Sequence, residues 1–168
     1  MELRSEHSKN DLADALVMLM QKTDYSKISI QDIVDKAGLS RMAYYRNFAS
    51  KDEVLIFYLD RVTDQFIQET KVDFDALSLP DYITVLFSHL KRQALIGQLL
   101  LKNDLLHYIK NEFDRIFEGK AKTPNEVYTY SFIAGGLFNI YSKWLGQGCD
   151  RTPEELAQVF VNFNKLGL

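Results

Sequence analysis

Apolar residues recur at intervals of three and four positions along almost the whole chain, and this spacing constrains the fold more than any other feature. Ile30, Ile33, Val34 and Ala37 show it over one short stretch. Such spacing places side chains on one face of an α-helix, whereas a half-buried strand alternates at every second position. The 168 residues include only three prolines, and no segment shows sustained alternation. The sequence therefore predicts an all-α fold.

Helix start signals divide this pattern into segments. Thr123-Pro124-Asn125-Glu126 and Thr152-Pro153-Glu154-Glu155 each offer a capping hydroxyl, a proline at the first helical position and a glutamate at the third. They predict helices over about 125–146 and 154–166. Four serines are the corresponding predicted caps in the first third of the chain: Ser8, Ser29, Ser40 and Ser50. In all, the pattern predicts about nine helices.

Two domains follow from the lengths of these segments. The first three predicted helices are short and lie within residues 1–50, whereas the helices over 51–168 are longer. We therefore predict an N-terminal three-helix domain, 1–50, and a C-terminal helical domain, 51–168.

Composition excludes several classes of protein. No apolar run approaches the roughly 18 residues that indicate a membrane-spanning helix, and the polar start MELRSEHSKNDL is unlike a secretory signal. Cys149 is the only cysteine, and no Cys/His spacing resembles a zinc site. The chain also lacks a nucleophile elbow, a phosphate loop and a glutamate-histidine helix motif. We expect a cytoplasmic protein that is not an enzyme and that uses no metal or cofactor.

The segment AGLSRMAYYRNF, residues 37–48, has a local charge that differs from the rest of the chain. The whole chain carries a net charge of −3. From Gly38 to Lys51, however, the charged side chains are Arg41, Arg46 and Lys51, and none is acidic. A basic patch on an acidic background is one mark of a nucleic-acid-binding surface.

Helical geometry predicts which side chains of this segment point outward. At 100° per residue from Ser40, Tyr44 and Phe48 fall on the inner side. Met42 and Arg46 point the opposite way, and three residues flank them: Arg41, Ala43 and Tyr45. Two short helices joined by Gly38-Leu39 would then present a basic and aromatic surface, as a helix-turn-helix presents its recognition helix to the major groove. Three-helix units with a polar outer face also occur in proteins that never contact DNA, so spacing alone leaves both interpretations open.

Residues 8 to 59, and especially SIQDIVDKAGLSRMAYYRNFASKDEVL, resemble the N-terminal domain of the tetracycline-repressor (TetR) family of bacterial regulators. The shared features are Ile33, Ala37-Gly38-Leu39-Ser40, the Tyr45-x-x-Phe48 pair, and Ser50-Lys51 before an acidic residue and Leu55. Met42-Ala43 and Asn47 depart from the residues that are common in the family, so the resemblance does not supply the target sequence.

The resemblance implies roles for individual positions in binding double-stranded DNA. Arg41, Met42, Ala43 and Tyr45 would face the groove, and Asn47 would lie at its edge. Tyr45 and Lys51 would hold phosphates. The complete predicted DNA-binding set is Ser29, Gln31, Ser40, Arg41, Met42, Ala43, Tyr45, Arg46, Asn47 and Lys51.

The stretch YSFIAGGLFNIYSKWLGQGCDRTPEELAQVFVNF resembles the C-terminal region of a Firmicutes-type subgroup of the same family. It shares a glycine pair inside a helix, a tryptophan near the end of that helix and a proline-started last helix. The resemblance implies a homodimer in which the last two helices of each subunit form a four-helix interface. The predicted interface set is Gly135, Gly136, Leu137, Ile140, Trp144 and Phe160. The alternative is that this helix belongs to the core of a single chain.

A small-molecule effector is the input that the resemblance implies. In relatives such a ligand binds among the middle helices, and the aromatic candidates here are Tyr58, Phe66, Phe87 and Tyr108. Aromatic residues at helical spacing also form ordinary cores, so both interpretations stay open. The identity of an effector does not follow from the sequence.

The function predicted from the sequence is that of a homodimeric, DNA-binding transcriptional regulator. We expect a repressor that binds a pseudo-palindromic operator and is released by a small effector. The alternative is the same fold acting as a co-activator or protein-binding module without operator binding.

Overall fold

The computed structural model describes residues 2–70 and 78–165, and within these ranges it contains nine α-helices, one 3₁₀ turn at Tyr25–Lys27 and no strand. The helices are α1 (Glu2–Met20), α2 (Ile30–Ala37), α3 (Arg41–Asn47), α4 (Lys51–Thr70), α5 (Leu79–Arg92), α6 (Ala94–Lys102), α7 (Leu106–Glu118), α8 (Pro124–Gly146) and α9 (Pro153–Lys165). The predicted all-α fold is confirmed.

The chain divides into two compact units, Met1–Gln65 and Phe66–Leu168, and the division falls inside α4. We placed the domain boundary at residue 50. The later division has a physical reason, because the first half of α4 is bound to α1. The Arg61 guanidinium donates hydrogen bonds to Asn10 Oδ1 at 2.7 Å and to the Asp14 carboxylate.

In unit 1, α1 packs against both α2 and α3. Its buried side is apolar, with Leu12, Leu16 and Met20 removed from solvent. The helix begins at Glu2, so Ser8 lies inside it and the predicted cap at Ser8 is wrong. The preceding residues contain neither glycine nor proline, and the helical conformation continues through them.

In unit 2, the two predicted start signals are confirmed. Thr123 Oγ1 accepts the Glu126 N–H at 3.3 Å, while the Glu126 carboxylate accepts the Thr123 N–H at 3.2 Å. Thr152 and Glu155 exchange the same pair of bonds at 3.2 and 2.7 Å. These reciprocal bonds satisfy backbone N–H groups that have no partner within the helix.

The longest helix of unit 2, α8, packs against α7 and α6, while α9 packs against α5. The α6–α8 contact is close at Gly97, where an added Cβ would lie 2.3 Å from the Tyr141 hydroxyl oxygen. Nearby, Gln98 Nε2 donates to the Leu145 carbonyl at 2.7 Å. Tyr141 and Leu145 thereby fix the core-facing side of α8.

Candidate nucleic-acid interface

The turn between α2 and α3 is set by Gly38 and Ser40. Gly38 has a φ of 67°, in the left-handed region that favours glycine, and its N–H bonds the Asp35 carbonyl at the end of α2. Ser40 then caps α3, since its Oγ accepts the Ala43 N–H at 3.1 Å. These two residues fix the direction in which α3 leaves the turn.

The inner side of α3 is apolar and aromatic. Tyr44 and Phe48 are both buried, as the helical spacing predicted. The two rings lie 6.2 Å apart, and the Phe48 ring meets Phe57 of α4 edge-on at 5.6 Å. This packing holds the opposite side of α3 toward solvent.

The outer side of α3 combines two cations with two large side chains. Met42 is 79% exposed and Tyr45 is 58% exposed. Arg41 and Arg46 are also exposed, and neither guanidinium has a hydrogen bond or ion pair with any side chain that the structure describes. The first turn of α3 contains no acidic residue. The face therefore offers two free guanidinium groups to an anionic or hydrogen-bond-accepting partner.

Ala43 does not belong to this face. Only 7% of the residue is exposed, so the prediction that it points outward is wrong. The reason is the contact between α3 and α1, which covers this flank of the helix.

Asn47 lies one turn after Ala43 on the same flank and is half-buried. Its Oδ1 accepts the Ser5 hydroxyl of α1 at 2.7 Å, and its Nδ2 donates to the Ala43 carbonyl at 2.7 Å. Asn47 thus connects the end of the predicted recognition helix to α1, at the edge of the exposed face.

Lys51 is placed differently from the prediction that it holds a phosphate. Its ammonium donates to the carbonyl oxygens of Tyr25 at 2.6 Å and Ile28 at 2.8 Å. It also lies 4.2 Å from the centre of the Tyr25 ring. Burial lowers the pKa of this ammonium. In this arrangement Lys51 is a structural residue of unit 1 and directs its charge inward.

The predicted residues on α2 are exposed but engaged. Ser29 Oγ accepts the Asp32 N–H, and the Asp32 carboxylate accepts the Ser29 hydroxyl and backbone N–H at 2.7 and 2.8 Å. These bonds, the hydroxyl's above all, lower the pKa of Asp32. Gln31 Nε2 donates to Asp35 at 2.7 Å. Two carboxylates therefore lie on exposed positions of α2, and α3 carries the cationic part of the motif.

Two family models match the chain. Residues 12–56 match the model described as bacterial regulatory proteins of the tetR family, and residues 80–165 match the one described as the transcriptional regulator C-terminal region. The second match alone covers half of the chain. The chain belongs to the TetR family. Members of this family are transcription factors rather than enzymes.

Solved TetR-type structures share the fold. A TetR transcriptional regulator from Streptococcus agalactiae 2603V superposes with a TM-score of 0.65 at 21% identity, covering 96% of each chain. The dihydroxyacetone kinase operon activator DhaS gives a TM-score of 0.62 at 19% identity, covering 93% of each chain.

Two relatives from Bacillus subtilis (strain 168) carry the same type of motif. YxbF, an uncharacterized HTH-type transcriptional regulator, is 22% identical over 158 residues, which make up 88% of this chain and 42% of YxbF. YwcC, described in the same words, is 33% identical over 60 residues, which make up 36% of this chain and 27% of YwcC. The chain therefore spans less than half of the length of these curated relatives.

Neither a membrane span nor a metal cluster occurs in the described part of this TetR-family chain. None of its helices there is both long and apolar enough to cross a bilayer. In the same residues, no three His, Cys, Asp or Glu side chains come together where a metal ion could be held.

The residues predicted for a dimer interface separate into two groups. Gly136 is exposed, and Gly135, Ile140 and Phe160 are half-buried. Leu137 and Trp144, in contrast, are buried in the core of unit 2, so their prediction as interface residues is corrected. Trp144 packs edge-on against Phe87 at 5.5 Å and donates its Nε1–H to the Arg151 carbonyl at 3.0 Å.

The sequence interpretation missed two side chains on the open side of α8. Tyr128 and Phe132 are the most exposed aromatic residues of unit 2 in the described part of the chain. They lie one and two turns before Gly136, and this spacing was the signal that could have identified them. It was hidden because α8 also carries apolar residues on its core side.

The four aromatic residues predicted for an effector pocket do not gather around the cavity of unit 2. Phe66 stacks on His89 at 4.3 Å and Phe87 packs on Trp144, so both are core residues. Tyr58 and Tyr108 are half-buried. A cavity of about 420 Å³ lies instead beside α8 and α9, and none of these four residues lines it.

Proposed function

We propose that this chain binds duplex DNA as a homodimer, with α3 of each subunit in the major groove, and that it acts as a repressor. The observation that carries the proposal is the pair of free guanidinium groups of Arg41 and Arg46, held on the exposed side of α3 by the burial of Tyr44 and Phe48.

The exposed face has the chemistry that a major groove requires. An arginine fork matches the O6 and N7 acceptors of guanine, and residues in the first turn of a recognition helix contact base edges. Arg41 occupies that turn. A tyrosine hydroxyl suits a phosphate oxygen, and Tyr45 offers one. Lys51, with its ammonium bound inside unit 1, is left out of the proposed contacts.

A homodimer would place two copies of α3 on successive turns of the duplex. Half-sites of such regulators are about 34–36 Å apart, and their operators are pseudo-palindromes because the protein is two-fold symmetric. A repressor then acts by occupying DNA that transcription requires. A small molecule that prefers the subunit arrangement unable to span both half-sites would release it.

The opposite sign of regulation is the second candidate for the same DNA-binding chain. The name of DhaS describes an operon activator, and DhaS shares the fold over 93% of each chain. Transcription measured from a reporter carrying the selected operator, with and without the protein, distinguishes the two: repression lowers the output and activation raises it.

The protein-binding module without operator binding is favoured by a different observation. Only two of the three basic side chains between Gly38 and Lys51 are directed outward, and carboxylates of Asp32 and Asp35 lie exposed on α2. Such a surface would repel DNA more than a uniformly basic one.

Selection of bound sequences from a random duplex pool, followed by gel shift at low salt, tests DNA binding. We expect enrichment of a two-fold symmetric sequence and loss of binding in the Arg41→Ala/Arg46→Ala double variant. Arg92→Ala is the control, since it removes the same group from an exposed position of α5. A failure of the parent protein to enrich or shift any duplex would contradict the proposal and favour the module.

A further inference from the structure

The open side of α8 carries a row of residues that a single chain does not use. Tyr128 is 78% exposed and Phe132 is 74% exposed. Gly136 follows one turn after Phe132, and no atom lies within 4 Å of the position that its Cβ would occupy. Large apolar side chains that are exposed together mark interaction sites more often than free surface. The row therefore needs an occupant.

A cavity of about 420 Å³ borders the other end of the same side of α8. Its lining includes Ile140 and Trp144 of α8 together with Leu156 and Val159 of α9, and Lys143 is its basic component on α8. The walls are mainly apolar, so an aromatic side chain suits the cavity better than a charged one.

The exposed aromatic residues and the cavity are related by helix geometry. When two identical helices cross antiparallel at one residue, each position before the crossing faces the position equally far after it in the other copy. With the crossing at Gly136, Phe132 faces the partner subunit's Ile140. Tyr128 falls at the level of the partner subunit's Lys143. Each interval of four residues spans about 6 Å along the helix.

We infer that a second copy of this chain docks antiparallel across Gly136, and that Phe132 of each copy enters the cavity of the other. The inference rests on the homodimer of the proposed function and assigns its contact residues. Gly136 allows the two backbones to approach closely, because no side chain separates them. Tyr128 of one copy and the partner subunit's Lys143 then form a cation–π pair at the edge.

A second copy explains the surface better than a small ligand does. The aromatic group and the cavity that fits it are present on one chain, and a two-fold axis through one glycine satisfies both copies at once. This self-complementarity is the property of an isologous interface. A free ligand would fill the cavity but leave Tyr128 and Phe132 in water.

Phe132→Asp is the first test, with Val127→Asp as the matched control. Val127 is 42% exposed on the same helix but lies away from the row of Tyr128, Phe132 and Gly136. By sedimentation, we expect Phe132→Asp to weaken dimerisation by about 30-fold or more, the effect of losing a buried anchor. Val127→Asp should change it by less than about threefold, and circular dichroism should show both variants folded. Equal effects of the two variants would overturn the inference.

Disulfide cross-linking tests the register in a Cys149→Ser background. Gly136→Cys should give a covalent dimer on mild oxidation, because the residue meets its own copy at the axis. Phe132→Cys combined with Ile140→Cys should also cross-link, whereas either change alone should not. Asn125→Cys, near the start of α8, should stay uncross-linked.

The outcomes separate this inference from DNA binding. A dimer that forms without the Gly136→Cys cross-link overturns the register, and a monomer that still shifts DNA overturns the docking itself. A cross-linked dimer of the expected register that shifts no DNA supports the inference and contradicts the DNA-binding proposal alone.

Discussion

The ammonium of Lys51 at the start of α4 bonds the backbone carbonyl of Tyr25 at 2.6 Å and lies 4.2 Å from the centre of its ring. The side chain of Tyr25 returns the contact, since its hydroxyl donates to the Asp52 carboxylate. The start of α4 is thereby attached to the 3₁₀ turn at two adjacent positions. A residue that resembles a phosphate contact in the sequence is used here to join two elements of unit 1.

Lys51→Met should destabilise unit 1, because the methionine keeps the apolar stem but leaves the Tyr25 and Ile28 carbonyls without their donor. We expect a loss of about 1–2 kcal/mol in the free energy of unfolding, in line with hydrogen bonds to a charged group at a partly exposed site. Urea unfolding followed by circular dichroism measures it.

Lys27→Met is the control for that measurement. Lys27 pairs with Asp24 on the same turn at 3.0 Å, but the pair is exposed, so its loss should cost about 0.5 kcal/mol or less. A Lys51→Met protein of unchanged stability whose DNA affinity falls would show that the lysine turns toward a phosphate in the complex.

The arrangement of α3 was predictable because local signals agree there. Gly38, Ser40 and the apolar spacing all specify the same turn and the same inner side, and Tyr44 is buried as expected. What failed was the flank. Ala43 is covered by α1, a contact between residues distant in sequence that helical periodicity within α3 does not encode.

The outer side of α8 was harder to predict for a related reason. The helix has apolar residues around most of its circumference, so periodicity does not distinguish the core side from the open side. Leu137 and Trp144 looked equivalent to Phe132, but only the packing of α7 and α6 on α8 decides that the first two are buried.

Gly97→Ala should destabilise unit 2. The added Cβ would lie 2.3 Å from the Tyr141 hydroxyl and 3.1 Å from Leu145, so one of the two helices must shift. Overpacking of this kind costs about 1–3 kcal/mol. Thermal unfolding should therefore occur at a lower temperature than in the parent chain.

Gly146→Ala makes the opposite prediction for the same change of residue. Gly146 is an exposed helical position with no atom within 4 Å of an added Cβ, so the alanine should stabilise α8 by up to about 1 kcal/mol. If the two variants shift the unfolding temperature in the same direction, the close α6–α8 contact is not present in solution.

Tyr44→Phe should leave the protein as stable as before or raise its stability by up to about 1 kcal/mol at pH 7. The Tyr44 hydroxyl is buried and has no hydrogen-bond partner among the described residues, so removing it relieves an unsatisfied group. Tyr25→Phe is the matched control, and it should lower stability because the Tyr25 hydroxyl bonds Asp52.

The same variant should change the response to alkali. Burial raises the pKa of Tyr44 to about 12, above the value near 10 of an unfolded tyrosine. The stability that depends on the neutral hydroxyl is therefore complete below pH 10 and is lost as the pH rises toward 12. Unfolding measured at several pH values from 8 to 11.5 should fall less steeply in Tyr44→Phe. A parallel fall in both proteins would place the ring in water.

Arg41→Ala and Arg46→Ala should weaken DNA binding in different ways. Arg41 lies in the first turn of α3, so its loss should cost about 1–3 kcal/mol on the selected operator and relax the preference at one base pair. Arg46 lies in the last turn, nearer to the backbone than to base edges. Its loss should weaken all sequences alike and reduce the salt slope by about one per subunit.

Binding isotherms on operator and unrelated duplex at several salt concentrations separate the two effects, with Arg92→Ala as the charge-matched control. Both positions are exposed, so neither change should alter folding, and circular dichroism checks this. If Arg41→Ala weakens operator and unrelated DNA by the same factor, the first turn of α3 contacts phosphates instead of bases. The groove entry would then be tilted, with the Arg46 end of the helix reading the sequence.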